Sequence, residues 1–387
     1  MKMNGRTARM KTAVKIVIAA LFVVAYHSAT AAQDMVGNCR IGIYHLRDGS
    51  DVDIAPGEGS HLRWRRKDGT SGELTETTDG TWTSTLGWTS RPDGRRVSFS
   101  ECGKGAITFA GVNGQRIALT VTDTRFQSGG ASLAGRLVMP KGSARVPIVI
   151  LVSGSEDFSA LDFFALQRIF PSEGIGAFVY DKRGTGASGG DYSQNYMLLA
   201  QDAVAAMREA RRLAGTRAGK VGYQGGSQAG WVAPLAATIA PVDFVVVGYG
   251  LAVSPLEEDR SAIVLDMTRR GYGADIVAKA MEVADASEAV LVSNFSDGYD
   301  GVDAVRAKYG SEPWFKYVHG NFTFAVLEMA HDELREKGPK LLPGIQPHYD
   351  PMPVLRNLKR PQLWILGEDD IDARNAARRN ARVHPKS

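Results

Sequence analysis

Cysteine is scarce in this sequence, and no excess of charge of one sign remains once the first residues are set aside. Only Cys39 and Cys102 occur among the 387 residues. Neither lies in a Cys-x-x-Cys motif or beside a histidine, so no metal site is expected. The chain has 46 basic and 42 acidic residues, and five of the basic residues but no acidic one lie at positions 1–32. The remainder is nearly neutral, which argues against nucleic acid as a partner.

Long apolar runs are also scarce, and the first 32 residues hold the one that matters for targeting. A basic stretch is followed by an apolar run over residues 16–25 and by the small residues 28–32. The apolar run is too short to span roughly 30 Å of hydrocarbon. This layout is typical of a secretory signal peptide cleaved after Ala31 or Ala32, and the alternative is an uncleaved membrane anchor. We predict a periplasmic or secreted product that is free of the membrane after cleavage.

The two cysteines gain significance from this predicted export. In an oxidising compartment, a disulfide between Cys39 and Cys102 would close a loop of about 60 residues and stabilise the chain by a few kcal/mol. The alternative is a pair of separately buried thiols. Their even number and the predicted compartment favour the disulfide.

The apolar pattern divides the rest of the chain. Residues 33 to about 125 show short alternating runs between turn signals, which predicts a small antiparallel β domain. Over residues 126–387, buried-strand runs alternate with amphipathic helices, which predicts an α/β domain with a mostly parallel sheet. Helical patterns at about 251–350 predict a helical cap inserted between two strands. The turn signals are Asp48-Gly49, Asp68-Gly69, Asp79-Gly80 and Asp93-Gly94.

The most informative motif surrounds Ser227. A short apolar run at residues 221–223 leads into Gly225-Gly226-Ser227-Gln228-Ala229, and a helical pattern follows. A tight strand-to-helix turn of this kind lifts a serine hydroxyl above a sheet, and only small residues fit two positions to either side. The motif resembles the nucleophile elbow of the α/β-hydrolase family, with Ala229 where glycine is more usual.

The segment after an earlier strand strengthens this resemblance. Ser153-Gly154-Ser155 is similar to the His-Gly-Ser-Gly type of loop in α/β hydrolases, with Ser153 in place of the histidine. The resemblance implies that the backbone N–H groups of Ser155 and Gln228 form an oxyanion hole. The alternative is an ordinary Gly/Ser turn.

A charged segment at residues 180–188 is interpreted as structural. Its sequence, Tyr-Asp-Lys-Arg-Gly-Thr-Gly-Ala-Ser, lacks the Gly-Lys-Ser/Thr ending of a phosphate-binding loop. In α/β hydrolases a similar turn supports the loop beside the elbow.

The resemblance also implies a catalytic acid after the last predicted strand. Residues 363–366 are apolar and precede Gly-Glu-Asp-Asp, which is similar to the family's strand–Gly-x-x-Asp pattern. Matching by position selects Asp370, with Asp369 and Asp372 as alternatives. Its role would be to orient a histidine.

The histidine that should follow the acid is the weak point. Family order places it after one more helix and strand, a path of at least about 25 residues. His384 is the only histidine after Asp370 in the sequence. The residues between the two are arginine-rich and lack apolar periodicity. We interpret this as a truncated or frame-shifted end without the last strand and helix, and an unusual short route through His384 is the alternative. His319, His331 and His348 lie in the predicted cap and are interpreted as surface or packing residues.

Taken together, the motifs resemble exported bacterial serine hydrolases with an N-terminal β domain and a helical cap. The resemblance implies attack of Ser227 on a small carboxylic ester, through an acyl-enzyme and without metal or organic cofactor. Loss of the histidine would impair this chain. The alternatives are a peptidase or amidase on the same fold, or a non-catalytic binding protein.

Overall fold

The computed structural model describes residues 38–367, which form two compact units. The first unit contains the described residues up to Arg125, together with Leu133–Pro147 and Asp157–Gly189. The second contains Phe126–Ser132, Ile148–Glu156 and the described residues from Gly190 onward. The domain limits inferred from the sequence stay predictions.

An eight-stranded antiparallel barrel dominates the first unit. Each strand pairs with its neighbour in sequence, and the first strand closes the ring on the eighth. The strands are β1 (Gly42–Leu46), β2 (Asp51–Pro56), β3 (Leu62–Arg66), β4 (Ser71–Glu76), β5 (Trp82–Thr85), β6 (Pro92–Phe99), β7 (Ala106–Phe109) and β8 (Val112–Arg116). The predicted antiparallel pairing is present. The sequence did not predict that the strands close into a barrel.

Three of the four Asp-Gly signals are hairpin turns. Gly49, Gly69 and Gly80 adopt φ values of +84°, +86° and +79°, as tight hairpins require. The fourth prediction is wrong, because Asp93 and Gly94 lie inside β6. There the register between β5 and β6 shifts, and Gly94 has a φ of +78°. A glycine with positive φ therefore marks a bulge in the strand here instead of a turn.

The barrel interior is filled by large side chains. Trp64 is 1% exposed and stacks edge-on against Phe109 with ring centroids 5.1 Å apart. Its indole N–H donates to Ser84 Oγ at 2.8 Å, so the buried polar atom is satisfied. The core residues of the barrel are Tyr44, Leu46, Val52, Ile54, Leu62, Trp64, Leu74, Trp82, Val97, Ile107 and Phe109.

Two long-range connections lie within the first unit. Cys39 and Cys102 form a disulfide with Cα atoms 5.4 Å apart. Arg168 donates to both carboxylate oxygens of Asp53 at 2.6 and 2.9 Å. Because the Asp53 side chain is completely buried, removal of Arg168 would leave an uncompensated charge in the interior. The helices of this unit are α1 (Ala160–Phe163) and α2 (Leu166–Ser172), which carries Arg168.

The remaining strands form one mixed sheet. They are β9 (Leu119–Ser128), β10 (Ala131–Pro140), β11 (Val146–Val152), β12 (Gly176–Tyr180), β13 (Ala218–Gly226), β14 (Phe244–Gly248) and β15 (Gln362–Ile365). Their order is β15-β14-β13-β11-β12-β10-β9. Pairing is parallel from β13 to β15 and antiparallel between β10 and β12. The predicted α/β class is confirmed, and the carboxyl ends of β13, β14 and β15 share one edge.

Helices occupy most of the second unit. They are α3 (Tyr196–Ala214), α4 (Ala229–Ile239), α5 (Pro255–Arg269), α6 (Ala274–Val292), α7 (Tyr299–Tyr309), α8 (Thr323–Glu328), α9 (His331–Leu341) and α10 (Met352–Asn357). Helices α5 to α10 fall between β14 and β15, and α5 to α9 lie within the range of about 251–350 where the sequence predicts a helical insertion. Two apolar clusters hold these five helices together. Within residues 38–367, no helix is long and apolar enough to cross a membrane.

Candidate active site

Ser227 occupies the corner between β13 and α4. Its φ of +52° lies in the left-handed region, which costs a non-glycine residue about 1–2 kcal/mol. The backbone is held there because the Ser227 N–H donates to the Gly248 carbonyl at 3.1 Å and its own carbonyl accepts from the Gly230 N–H at 2.7 Å. Ser227 is nevertheless exposed. The predicted sharp turn is present, and it presents the serine to solvent.

The residues two positions before and after Ser227 are in close contact. A Cβ atom added to Gly225 would lie 2.3 Å from Cβ of Ala229 and 2.8 Å from the Val152 carbonyl oxygen. On the next turn of α4, a Cβ atom on Gly230 would lie 2.7 Å from Cα of Gly250. The corner is therefore too tight for larger residues at these positions, which is the physical reason for the Gly-x-Ser-x-Ala pattern.

The loop after β11 runs beside this corner. A Cβ atom on Gly154 would lie 3.3 Å from the Gly226 carbonyl oxygen. The Gly154 N–H donates to Glu156 Oε1 at 3.0 Å. In contrast, the N–H groups of Ser155 and Gln228 donate to no acceptor within residues 38–367. Two unused backbone donors thus lie on the two segments that meet at Gly226. Their role in an oxyanion hole stays a prediction.

A side-chain network that the sequence did not indicate connects these two segments. The Ser155 carbonyl accepts from the Tyr192 hydroxyl at 2.6 Å and from Gln194 Nε2 at 3.4 Å. Gln194 Oε1 in turn accepts from Gln228 Nε2. Tyr192 and Gln194 lie in the irregular segment before α3 and belong to no motif, so no sequence signal could have found them.

Three aromatic rings support the corner from within the second unit. Trp231 in α4 stacks on Tyr196 with centroids 5.1 Å apart, and Tyr349 packs edge-on against Tyr196 at the same distance. The Trp231 indole N–H donates to the Val253 carbonyl at 2.9 Å, which ties α4 to the loop after β14. Burial raises the pKa of Tyr196 and raises the pKa of Tyr349 to about 12, so both hydroxyls stay neutral.

The charged turn after β12 is built around a buried carboxylate. Asp181 accepts from Ser159 Oγ at 2.9 Å, from the Leu161 N–H at 3.0 Å and from the Ala187 N–H at 2.8 Å. A Cβ atom on Gly186 would lie 2.1 Å from Asp181 Oδ2. Internal donors occupy this carboxylate, which agrees with the structural interpretation of the turn.

The predicted acid and base lie outside the described residues. This applies to Asp370, to its alternatives Asp369 and Asp372, and to His384. The roles of Asp370 as the acid and of His384 as the base therefore stay predictions.

The histidines of the helical insertion are engaged elsewhere or exposed. His319 stacks edge-on against Phe324 with centroids 5.0 Å apart, and His331 Nε2 lies 3.4 Å from an Asp303 oxygen. His348 is exposed. In the described part of the chain, none of them is hydrogen-bonded to Ser227, and no group of three His, Cys, Asp or Glu side chains is arranged to hold a metal.

Comparison with known proteins gives structural similarities of low score. No protein-family model and no curated protein matches the chain. Est1E from Butyrivibrio proteoclasticus, solved with ferulic acid, is 21% identical over 33% of this chain and 52% of its own, with a TM-score of 0.30. An esterase of Pyrococcus furiosus is 16% identical over 68% of this chain and 79% of its own, with a TM-score of 0.41.

A third solved structure is the acylaminoacyl peptidase of Pyrococcus horikoshii. It is 15% identical over 86% of this chain and 54% of its own, with a TM-score of 0.40. The chain thus spans about half the length of this peptidase and of Est1E. At such low scores, these similarities carry no weight for the function of this chain.

Proposed function

We propose that the protein is a serine hydrolase that acts on small carboxylic esters, with Ser227 as the nucleophile. The observation that carries the proposal is the exposed serine at a φ of +52° on a tight corner between a strand and a helix. A strained residue of this kind is retained where the surrounding structure holds it, and such residues concentrate at functional sites. The unused N–H groups of Ser155 and Gln228 add the donors that acyl transfer requires.

In the proposed reaction, Ser227 Oγ attacks the ester carbonyl carbon and loses its proton to a general base. The negative charge that develops on the carbonyl oxygen is stabilised by the Ser155 and Gln228 N–H groups. Collapse of this intermediate expels the alcohol, which takes up the proton, and leaves an acyl group on Ser227. Water then attacks the acyl-enzyme by the same route and releases the carboxylic acid.

Following the order of α/β hydrolases, Asp370 would orient the base and His384 is the candidate for it, although its position does not match that of the usual histidine. Only 13 residues separate them, where a helix and a strand would be expected. We therefore expect turnover to be slow, because a serine without a well-placed base is a weak nucleophile. A fluorophosphonate reacts with an activated serine, so labelling of Ser227 should be slow for the same reason, and long incubation with the probe makes it measurable.

The test is covalent labelling with a fluorophosphonate, followed by mass spectrometry of the labelled peptide. The wild-type chain should be labelled at Ser227, and Ser227→Ala should not be labelled. Ser143→Ala is the matched control, because Ser143 is also exposed but lies in a bend with ordinary φ. Labelling that survives Ser227→Ala, or its absence from the wild type, would refute the proposal and favour a non-catalytic binding protein.

Paired substrates separate ester from amide chemistry. p-Nitrophenyl butyrate should be hydrolysed in a Ser227-dependent way, and the matching p-nitroanilide should not be. Hydrolysis of the anilide that is lost in Ser227→Ala would support a peptidase or amidase. Loss of ester hydrolysis in His384→Ala would support the assigned base, and unchanged hydrolysis would reject it.

Export is part of the proposal. The disulfide between Cys39 and Cys102 supports it, since disulfides persist in oxidising compartments. The intact mass of protein from the periplasm or medium should correspond to cleavage after Ala31 or Ala32. A mass that retains residues 1–31 would contradict cleavage.

A further inference from the structure

We propose that Gln194 is a positioning residue that fixes the spacing between the two backbone donors of the oxyanion hole. The inference rests on the proposed function of Ser227. Its basis is that the Gln194 carboxamide touches both donor residues, Ser155 and Gln228, with different atoms. The sequence assigns Gln194 no role.

Chemistry determines the orientation of the Gln194 carboxamide. The Ser155 carbonyl oxygen can only accept a hydrogen bond, so the Gln194 nitrogen must face it. The Gln194 oxygen then faces the Gln228 side chain, which must donate through Nε2. The hydrogen bonds therefore run in one direction from Gln228 through Gln194 to Ser155. A carboxamide is suited to this position because it combines a donor and an acceptor on one rigid plane.

Gln194 is itself held in place. Gln194 is only 2% exposed, and its backbone N–H donates to the Pro343 carbonyl at 2.8 Å. The next residue, Asn195, caps α3 by accepting from the Leu198 N–H at 3.0 Å. The bridge is therefore anchored to a 19-residue helix and to a neighbouring segment. Ser155, in contrast, lies exposed in an irregular loop and depends on outside contacts for its orientation.

The Tyr192 hydroxyl provides a second hydrogen bond to the Ser155 carbonyl. It donates to Ser155 at 2.6 Å and also accepts from Gln194 Nε2. Fixing this carbonyl restrains rotation about the Ser155 backbone and hence the direction of its N–H. Because oxyanion donors act mainly in the transition state, their misplacement should lower kcat and leave substrate binding nearly unchanged.

The experiment compares Gln194→Met with a matched control. Methionine keeps the length and volume of the side chain but removes its donor and acceptor. Gln167→Met makes the same change at a residue 1% exposed, whose amide nitrogen donates to three carbonyls in residues 160–164. Both variants lose buried hydrogen bonds, so both should be less stable. Only Gln194→Met should act on the reaction.

We expect Gln194→Met to lower kcat for p-nitrophenyl butyrate and the fluorophosphonate labelling rate of Ser227 by about tenfold to a hundredfold. KM should change by less than about twofold, since ground-state binding is retained. The affinity of a trifluoromethyl ketone, whose adduct with Ser227 carries an oxyanion, should fall by the same factor as kcat. Tyr192→Phe should show a smaller loss of the same kind.

A double-variant cycle tests the bridge directly. Gln228→Met removes the other end of the hydrogen bond between the two side chains, so the combined loss in labelling rate should be smaller than the product of the two single losses. Independent, multiplying losses would overturn the bridge. Equal effects of Gln194→Met and Gln167→Met on kcat, with Ser227 still labelled, would overturn this inference alone. Absence of Ser227 labelling in the wild type would instead overturn the proposed function.

Discussion

The substitution Gly225→Ala gives the sharpest test of how the corner at Ser227 is built. The added methyl carbon would lie 2.3 Å from Cβ of Ala229, about 1.2 Å inside a normal carbon–carbon contact. It would also lie 2.8 Å from the Val152 carbonyl oxygen. Overpacking of this kind costs about 1–3 kcal/mol, and the stiffer unfolded chain recovers about 0.5 kcal/mol. We expect a net loss of about 0.5–2.5 kcal/mol in the free energy of unfolding.

Relief of this contact must move the strand end or the start of α4, and Ser227 lies between them. A displacement of about 1 Å at a reacting atom can cost roughly a hundredfold in rate. We expect the fluorophosphonate labelling rate of Ser227 to fall by about tenfold to a hundredfold in Gly225→Ala.

The assay is urea unfolding followed by helical circular dichroism, which reports mainly on the second unit because α3 to α10 lie there. Gly248→Ala is the control, because a Cβ atom at Gly248 meets nothing within 4 Å. Its unfolding midpoint should equal or slightly exceed that of the wild type, because the unfolded chain becomes stiffer without a clash in the folded state. If Gly225→Ala and Gly248→Ala unfold alike and are labelled alike, the contact between Gly225 and Ala229 does not constrain the corner, and the reasoning is refuted.

Three further predictions concern the first unit. Reduction of the disulfide, or the pair Cys39→Ala and Cys102→Ala, should lower stability by about 4 kcal/mol for a separation of 63 residues, and unchanged thermal unfolding with reductant would contradict this. Arg168→Met leaves the buried Asp53 carboxylate unpaired and should cost about 3–5 kcal/mol. Adding Asp53→Asn to that variant should recover part of the loss in chemical denaturation, and a further loss would argue against charge burial as the cause. Gly186→Ala combines a φ of +50° with a methyl group 2.1 Å from a buried carboxylate oxygen, so it should lower the free energy of unfolding by more than about 2 kcal/mol. A soluble variant that unfolds like the wild type would show that the turn is not structural.

The features that the sequence predicted well are local in the chain. The corner at Ser227 depends on five consecutive residues, and steric limits on φ and on neighbouring Cβ atoms determine which residues fit there. Hairpins at Gly49, Gly69 and Gly80 depend on two residues each. Gly94 carries the same local signal, but the pairing of its strand β6 with β5 decides whether the positive φ ends a strand or forms a bulge within it.

The features that the sequence could not predict depend on contacts between distant residues. Closure of the barrel requires β1 to meet β8, and no periodicity within either strand specifies that partner. The order of the seven strands in the sheet likewise depends on pairing between segments far apart in the chain, which the pattern within each strand does not specify. The bridge through Gln194 joins residues 155 and 228, and a single glutamine in a loop carries no signal of such a contact.

Closure of the barrel has a consequence for the order of events during synthesis. Among the barrel strands, β1 leaves the ribosome first. One of its edges stays without a partner until β8 (Val112–Arg116) has followed. A nascent chain arrested before that point would display two unpaired strand edges, which readily join those of other chains. Association through these two edges should therefore be greatest before the eighth strand is free to fold, and pairing of β1 with β8 should suppress it.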